Sequence, residues 1–282
     1  MSWYRKYLSV YQKPFAEVPV EAIAEVREKL KKQQSEAPLV SVVLIAHNEE
    51  KRLLSCLWSL SENQCKYPME IIGVDNDSTD RTSDVYTALE LPHYSEPNRG
   101  LGYARRCGLQ HAKGKYLVCI DSDTMYPAKY VEIMVDELEK PGVVGVSSLH
   151  GYFPDAEHSW LGLKIYEFIR DIHLLIQSIN RPEMSVRSMV FAHNTEYARK
   201  VGYRVDIIRG EDGTMALGLK NYGKLVFIRN RRARAVTGYG TLNADGSFFN
   251  AFKARAVKYL KRARNYFSEK KEYKDEKSNL IK

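Results

Sequence analysis

Tyr116-Leu117-Val118-Cys119-Ile120-Asp121-Ser122-Asp123 is a continuous apolar run that ends in two carboxylates one residue apart. A short unbroken run of this kind suits a strand buried on both faces, as in a sheet covered by helices on each side. Two earlier stretches have the same form. Leu39 to Ala46 runs into His47-Asn48-Glu49, and Glu70 to Val74 runs into Asp75-Asn76-Asp77. Between and after these runs the apolar positions switch to helical spacing, at Leu53, Leu57 and Leu60, at Val85 to Leu89, and at Ala104, Leu109 and Ala112. A helix opened by Pro127 and a strand over Gly142 to Leu149 follow. This alternation predicts βαβ crossovers and a mainly parallel α/β sheet. Ligands in such sheets sit beyond the carboxyl ends of the strands, which singles out the three polar triplets.

Around this half the chain divides into three parts. Residues 1–37 form an N-terminal extension in which Val20, Ile23, Val26 and Leu30 mark an amphipathic helix, broken by Ser35-Glu36-Ala37-Pro38. Residues 38–240 form the main domain. Residues 241–282 form a basic helix from Phe248, with Phe249, Phe252, Val257 and Leu260, fading into a charged tail. In the less regular second half of the main domain, Trp160 to Ile179 reads as a long helix, rich in Leu, Ile and aromatics but too charged to cross a membrane. It either packs on the domain or lies against lipid. Glu211 to Tyr222 reads as a shorter helix and Leu225 to Ile228 as a strand.

Composition narrows the class. Hydrophobic residues make up 44% and charged residues 28% of 282, which fits one sizeable globular core and excludes general disorder. The four cysteines form no C-x-x-C pair and sit in or beside apolar runs, as reduced buried thiols do. Without an apolar leader in Met1 to Lys13, the expected compartment is the cytoplasm. Net charge is +8, and the segment from Arg229 to Arg264 is dense in Lys and Arg with one acid, Asp245. Partners should therefore be anionic, although charge alone does not separate nucleic acid, an acidic membrane surface and a diphosphate. The basic aromatic helix is read either as a solvated helix packing on the domain or as a peripheral contact with the anionic inner face of the cytoplasmic membrane.

The chemistry concentrates in four places. Asp121-Ser122-Asp123 offers oxygen ligands at a strand end. Mg²⁺ and Mn²⁺ take only one or two carboxylates from a protein and fill the remainder from phosphate and water, so the triplet can hold a metal diphosphate. The same residues are also good turn formers, and spacing leaves both readings open. At Asp75-Asn76-Asp77, either acid can accept a hydrogen bond from a base or ribose, or simply close a strand-to-helix turn. In Asn98-Arg99-Gly100-Leu101-Gly102-Tyr103-Ala104-Arg105-Arg106 the glycines allow close backbone approach, and Arg99, Arg105 and Arg106 can meet phosphate. Finally, Gly210-Glu211-Asp212 places two acids at a helix start, either to stabilise the macrodipole or to supply a general base. Arg231, Arg232 and Arg234 are read as a basic surface segment or as groups that close over a diphosphate. His193 stands apart as a structural histidine.

Taken in order, Pro38 to Glu50, Val74 to Asp80, Asn98 to Gly108, Ile120 to Asp123 and Gly210 to Asp212 resemble the motifs of glycosyltransferase family 2, a similarity spanning about residues 38 to 240. The resemblance implies a GT-A fold: a Rossmann-like nucleotide half joined to an acceptor-binding half. It also implies an inverting transfer of sugar from a nucleotide-sugar donor to a glycan or lipid-linked acceptor, with no nucleic acid partner. Carried over by position, Ala46, His47, Asn48, Glu49, Asp75 and Asp77 would line base and ribose, joined by Arg99, Gly100 and Arg105. Asp121, Ser122 and Asp123 would hold the donor with Mn²⁺ or Mg²⁺, Asp123 as the direct ligand and Asp121 beside it. Asp212 would be the catalytic base, with Glu211 next to it. The family's common Pro-Thr-Tyr-Asn is here Ala46-His47-Asn48, and its usual Asp-Asp-Gly is Asp75-Asn76-Asp77, so the base contacts depart from pattern. A Gln-x-x-Arg-Trp element is missing, which argues against a processive polysaccharide synthase. Two other readings compete: a sugar nucleotidylyltransferase, which should carry a basic glycine-rich loop after the first strand, and a non-catalytic protein that keeps the fold.

Overall fold

A computed structural model describes residues 2–154, 160–238 and 279–281. After two short 3-10 turns come α1 (Val20–Gln33), β1 (Val40–Ala46), α2 (Leu53–Ser61), β2 (Met69–Asp75), α3 (Thr82–Ala88), β3 (His93–Ser95), α4 (Leu101–His111) and β4 (Tyr116–Asp121). There follow β5 (Thr124–Met125), α5 (Tyr130–Leu138), β6 (Val143–Ser148), β7 (His150–Tyr152), α6 (Trp160–Asn180), β8 (Phe191–Asn194), α7 (Thr195–Val201), α8 (Glu211–Leu219), β9 (Lys224–Ile228) and β10 (Ala235–Thr237). The basic helix expected from Phe248 lies outside the described residues. Of the charged tail, Asn279–Ile281 is described, and its backbone pairs with that of Asp206 and Ile208.

Seven strands form the main sheet in the order β3-β2-β1-β4-β8-β6-β9, and β5, β10 and β7 form a second, smaller one. β1 pairs in parallel with β2 and with β4, in a register that sets Ala46 opposite Asp75 and Ile45 opposite Asp121. All three polar triplets thus leave the sheet at the same edge. The mainly parallel sheet carries one antiparallel insertion, since β8 runs against both β4 and β6. Phe191-Ala192-His193-Asn194 was not legible as a strand because it is four residues long and half polar, and its place comes from its neighbours' open edges.

The continuous apolar runs are explained by two cores. Successive strand residues point to opposite faces. Val40, Val42, Leu44 and Ala46 of β1 pack with Val26, Leu57, Val85 and Val131, from α1, α2, α3 and α5, on one face. Val43 and Ile45 pack with Ala104, Met215 and Leu219, from α4 and α8, on the other. A fully buried side chain of this type stabilises by roughly 1.5–3 kcal/mol, so a polar residue at any of these positions would be costly. The N-terminal extension is tied to the start of α2. Gln12 N–H donates to Lys51 O at 2.8 Å, Phe15 N–H to Glu50 Oε1 at 3.0 Å, and Ser55 Oγ to Tyr7 O at 2.9 Å.

Helix α4 lies close against its surroundings because two of its residues lack side chains. A Cβ on Gly108 would meet Val43 Cγ1, and one on Gly102 would collide with the backbone oxygen of Arg204. In an unobstructed helix Gly→Ala stabilises by about 1 kcal/mol. Here the sign should invert: Gly102→Ala is expected to lower stability by about 1–3 kcal/mol in urea unfolding, as overpacking does. A more stable variant would show that the 204 carbonyl yields freely.

Candidate active site

The strand ends border a cleft of ≈ 260 Å³ lined by Ala46, His47, Glu49, Asn76, Asp121, Ser122 and Asp123, with Ile45, Leu101 and Ala104. Two loops form its near wall and are clasped to each other. Asn48, in the left-handed region at φ 54°, accepts the backbone N–H of Thr79 on Oδ1 at 2.8 Å, while its own N–H donates to Ser78 Oγ at 3.0 Å. Glu49 N–H donates to Thr82 Oγ1 at 2.8 Å, and His47 Nδ1 lies 2.6 Å from Asn76 O. Asn76 is the hub of this wall. Its buried amide donates to Glu96 O at 3.0 Å and Asn98 O at 2.7 Å, and its Oδ1 accepts Gly100 N–H at 2.9 Å. Gly100, at φ 143°, then starts α4, a backbone shape that side chains rarely adopt.

The far wall is acidic. Asp121 is held from two sides: Oδ1 pairs with the buried guanidinium of Arg105 and Oδ2 accepts Ser188 Oγ at 3.1 Å. Arg105 also donates to Ile120 O at 3.1 Å. Asp123 Oδ1 accepts Thr124 Oγ1 at 3.0 Å and Thr237 Oγ1, from β10, at 3.4 Å. Burial, reinforced by the charge of Asp121, raises the Asp123 pKa above the ordinary carboxylate range. Glu49 is pushed further, up to about 8, by burial first and then by the charges of Asp123 and Asp121, with Arg52 opposing at 2.7 Å. Such a group of crowded, partly desolvated carboxylates favours a cation. Among the described residues no three His, Cys, Asp or Glu side chains converge as a metal shell. The oxygen-only pair Asp121 and Asp123 fits a hard divalent ion that completes its sphere with phosphate and water.

Other sites read from the sequence lie outside the cleft lining. Asp75 is buried and caps its own turn, accepting Ser78 N–H on Oδ1 at 3.3 Å. Asp77 is exposed at φ 57°, and Arg99 is exposed. Arg105 turns to Asp121 rather than to the cleft, and Arg106 stacks over the Tyr103 ring at 5.0 Å. Arg234 is taken by acids of α6, with Glu167 at 3.1 Å and Asp171 at 2.9 Å, which corrects the reading of this residue as a group closing over a diphosphate. His193 is buried, 3.0 Å from Tyr203 OH, and burial pushes its pKa down to about 4, as befits a structural histidine.

Glu211 and Asp212 occupy the first turn of α8, both buried, after Gly210 at φ 100°. Burial first, then the charge of Glu211, raises the Asp212 pKa well above the carboxylate range, while Arg105 opposes. Its Oδ1 is buried with no hydrogen-bond partner among the described residues. The field of Asp212 is felt at Arg105, Cys119 and Tyr203, which sets it behind the end of β4.

Several residues of the site carried no signal of their own. Tyr11 belongs to the N-terminal extension, yet Asp123, Arg52 and Glu49 all act on its phenol, and its ring meets Phe153 edge-on at 5.0 Å. Ser188 and Thr237 come from distant loops and strands. Arg52 alone was discoverable, three residues after Glu49 in a helical stretch.

A parallel sheet that delivers paired acids to a cleft at its carboxyl edge is the frame of a nucleotide-dependent transferase. The sequence profile of Glycosyl transferase family 2 matches residues 41–217, and the chain belongs to that family. It is 27% identical over 188 residues to the glycosyltransferase GlyA of Streptococcus pneumoniae serotype 4, which covers 62% of this chain and 27% of that protein. The chain spans less than half the length of the curated relatives it matches. The fold is the GT-A fold of solved glycosyltransferases. The mannosyltransferase PcManGT from Pyrobaculum calidifontis, in complex with GDP-Man and Mn²⁺, superposes with a TM-score of 0.60 at 19% identity, covering 89% of this chain and 73% of that one. Glucosyl-3-phosphoglycerate synthase from Mycobacterium tuberculosis, in complex with Mn²⁺, UDP-Glc and phosphoglyceric acid, superposes with a TM-score of 0.53 at 19% identity, covering 88% and 85%. Membership bears out the resemblance read from the five ordered motifs.

The Glu49 shift predicts a pH dependence. Its folded pKa of about 8 lies above the ordinary glutamate value of 4.5, so the folded state holds more protons between these values. Its contribution to stability is full below about 4.5 and lost as pH rises through about 8. Melting temperature without added metal should fall over that window, and Glu49→Gln should flatten the fall. An unchanged slope in the variant would assign it to other groups.

Proposed function

We propose that the chain is an inverting glycosyltransferase that moves a sugar from a nucleoside-diphosphate sugar to a hydroxyl of a glycan or lipid-linked glycan. The observation that carries this reading is the gathering of three acids at the carboxyl edge of the sheet: Asp121 paired with the buried Arg105, Asp123 two residues on in the cleft with Arg52 acting on it, and Asp212 within the field of Arg105. The wall built from Ala46, His47 and Asn76 receives the nucleoside, and the start of α4 at Gly100 approaches the donor with backbone rather than side chain.

Asp123 would hold Mn²⁺ or Mg²⁺ directly, with Asp121 fixed next to it by Arg105 and Ser188. When bound, such an ion supplies Lewis-acid stabilisation of the departing diphosphate. Asp212 takes the proton of the acceptor hydroxyl as that oxygen attacks the anomeric carbon from the face opposite the nucleotide. The acceptor hydroxyl would give Asp212 Oδ1 the hydrogen bond it lacks among the described residues. A raised pKa suits a base, because a more basic carboxylate holds the proton better, and the Arg105 charge keeps the ionised form accessible.

Asp212→Asn should abolish transfer, by about 10²-fold or more, while donor affinity stays within about twofold. Unchanged turnover would remove Asp212 from the base role. Because the ionised form is required and burial raises its pKa, kcat should fall on acidification with a midpoint above the ordinary carboxylate range. Asp123→Asn should instead lose Mn²⁺-dependent thermal stabilisation by the donor, read by melting with a panel of nucleotide sugars.

A further inference from the structure

Helix α6 (Trp160–Asn180) is apolar on both its inner and its outer face. Three of its charged residues, Glu167, Arg170 and Asp171, face the protein. Glu167 accepts Tyr152 N–H at 2.7 Å and pairs with Arg234 at 3.1 Å, while Arg170 lies 2.9 Å from His150 Nε2 and 2.8 Å from Asp171. Leu163, Tyr166 and Leu174 are buried on the same inner face, and a second row of apolar residues faces outward. Leu161, Ile165, Phe168, Ile172, Ile176 and Ile179 recur at steps of three and four, one stripe along the full helix, and each is between 41% and 72% exposed. Burying such side chains is worth enough that a helix rarely leaves a whole row in water without a partner.

Charge and aromatic placement indicate the partner. The two acids of the helix, Glu167 and Asp171, are shared among three cations, Lys164, Arg170 and Arg234, so this cluster keeps a net positive charge, and its most exposed member is Lys164. At the start of the stripe Trp160 and Lys164 share a groove of ≈ 270 Å³ with Trp3, which is 38% exposed. Arg5 follows on the same N-terminal turn, where Lys6 is paired with Glu62, and the whole chain carries +8. Tryptophans beside cations at the edge of an apolar ridge suit the headgroup level of a bilayer. A second copy would instead bring like charge to like. No helix among the described residues is long and apolar enough to cross a membrane, so the contact is with the surface.

We propose that the outer face of α6, with Trp3, is a docking surface for an anionic lipid bilayer, the helix lying in the plane of the interface. The same helix holds Arg234, which immediately precedes β10, and β10 carries Thr237 to Asp123. Docking therefore sets the catalytic cleft at a fixed orientation to the lipid surface. This goes beyond the donor chemistry and does not depend on Asp212.

Flotation of the full-length protein with vesicles of phosphatidylglycerol and phosphatidylcholine tests it, against vesicles of phosphatidylcholine alone. The expected result is binding to the anionic vesicles, weakened by salt, and an about tenfold or greater loss of partitioning in the double variant F168S/I172S. Both substituted positions are exposed, so the variant should keep its melting temperature and its metal-dependent hydrolysis of donor. Three results would overturn the assignment: equal flotation of the double variant, equal binding to neutral vesicles, or a dimer in light scattering that the substitutions split, which would give the stripe to a second copy. Flotation stays readable even in a preparation with no transferase activity, so failure of this inference and failure of the proposed reaction are separable.

Discussion

The guanidinium of Arg105 sits fully buried beneath the carboxyl edge of the sheet, where it donates to Ile120 O and pairs with Asp121. A buried charge without partners is among the most expensive things a fold can contain, and removing one partner of such a pair costs roughly 3–5 kcal/mol. Arg105 therefore fixes the position of β4 relative to α4. The arrangement of the acids follows from that: Asp121 is held in place, Asp123 two residues on lines the cleft, and Asp212 has a compensating cation within range. α4 can supply Arg105 at this depth because Gly102 and Gly108 let it approach Arg204 and Val43 without side chains in between.

On the opposite wall the same economy is achieved with neutral groups. Asn76 satisfies three backbone groups of the segment 96–100, and Asn48 ties the first polar loop to the second. Sparing the backbone of buried loops from unmet hydrogen bonds is the usual requirement, but here it also leaves Glu49 stranded among acids. The cleft is electrostatically unfinished without a cation. Tyr11 and Arg52 partly answer that deficit, and they bring the N-terminal extension into the site rather than leaving it as an outer layer.

Helix α6 belongs to the same chain of contacts. Its inward charges are used to hold β7 and the turn before β10, and a row of its apolar residues is left on the outside. One element thereby connects Thr237, the threonine that donates to Asp123, to an apolar ridge on the surface.

The strands β1, β2, β4, β6 and β9, the mainly parallel sheet and the polar triplets at its edge were legible in the sequence, because an apolar run stopped by polar residues is a local pattern. β5, β7, β8 and β10 were not, being too short for their periodicity to register. Asp121 and Asp123 could be named as site residues from their place after β4. Arg105, by contrast, could be named only as a cation near phosphate, and its service to Asp121 rests on a contact between a helix and a strand. Arg234 was open between a basic surface segment and a group over a diphosphate, and only the fold shows the two acids of α6 that hold it. Local spacing encodes which face of an element is apolar and where it ends. It does not encode which distant group will meet that face, so Tyr11, Ser188 and Thr237, and the outward apolar row of α6, were decided by tertiary packing alone.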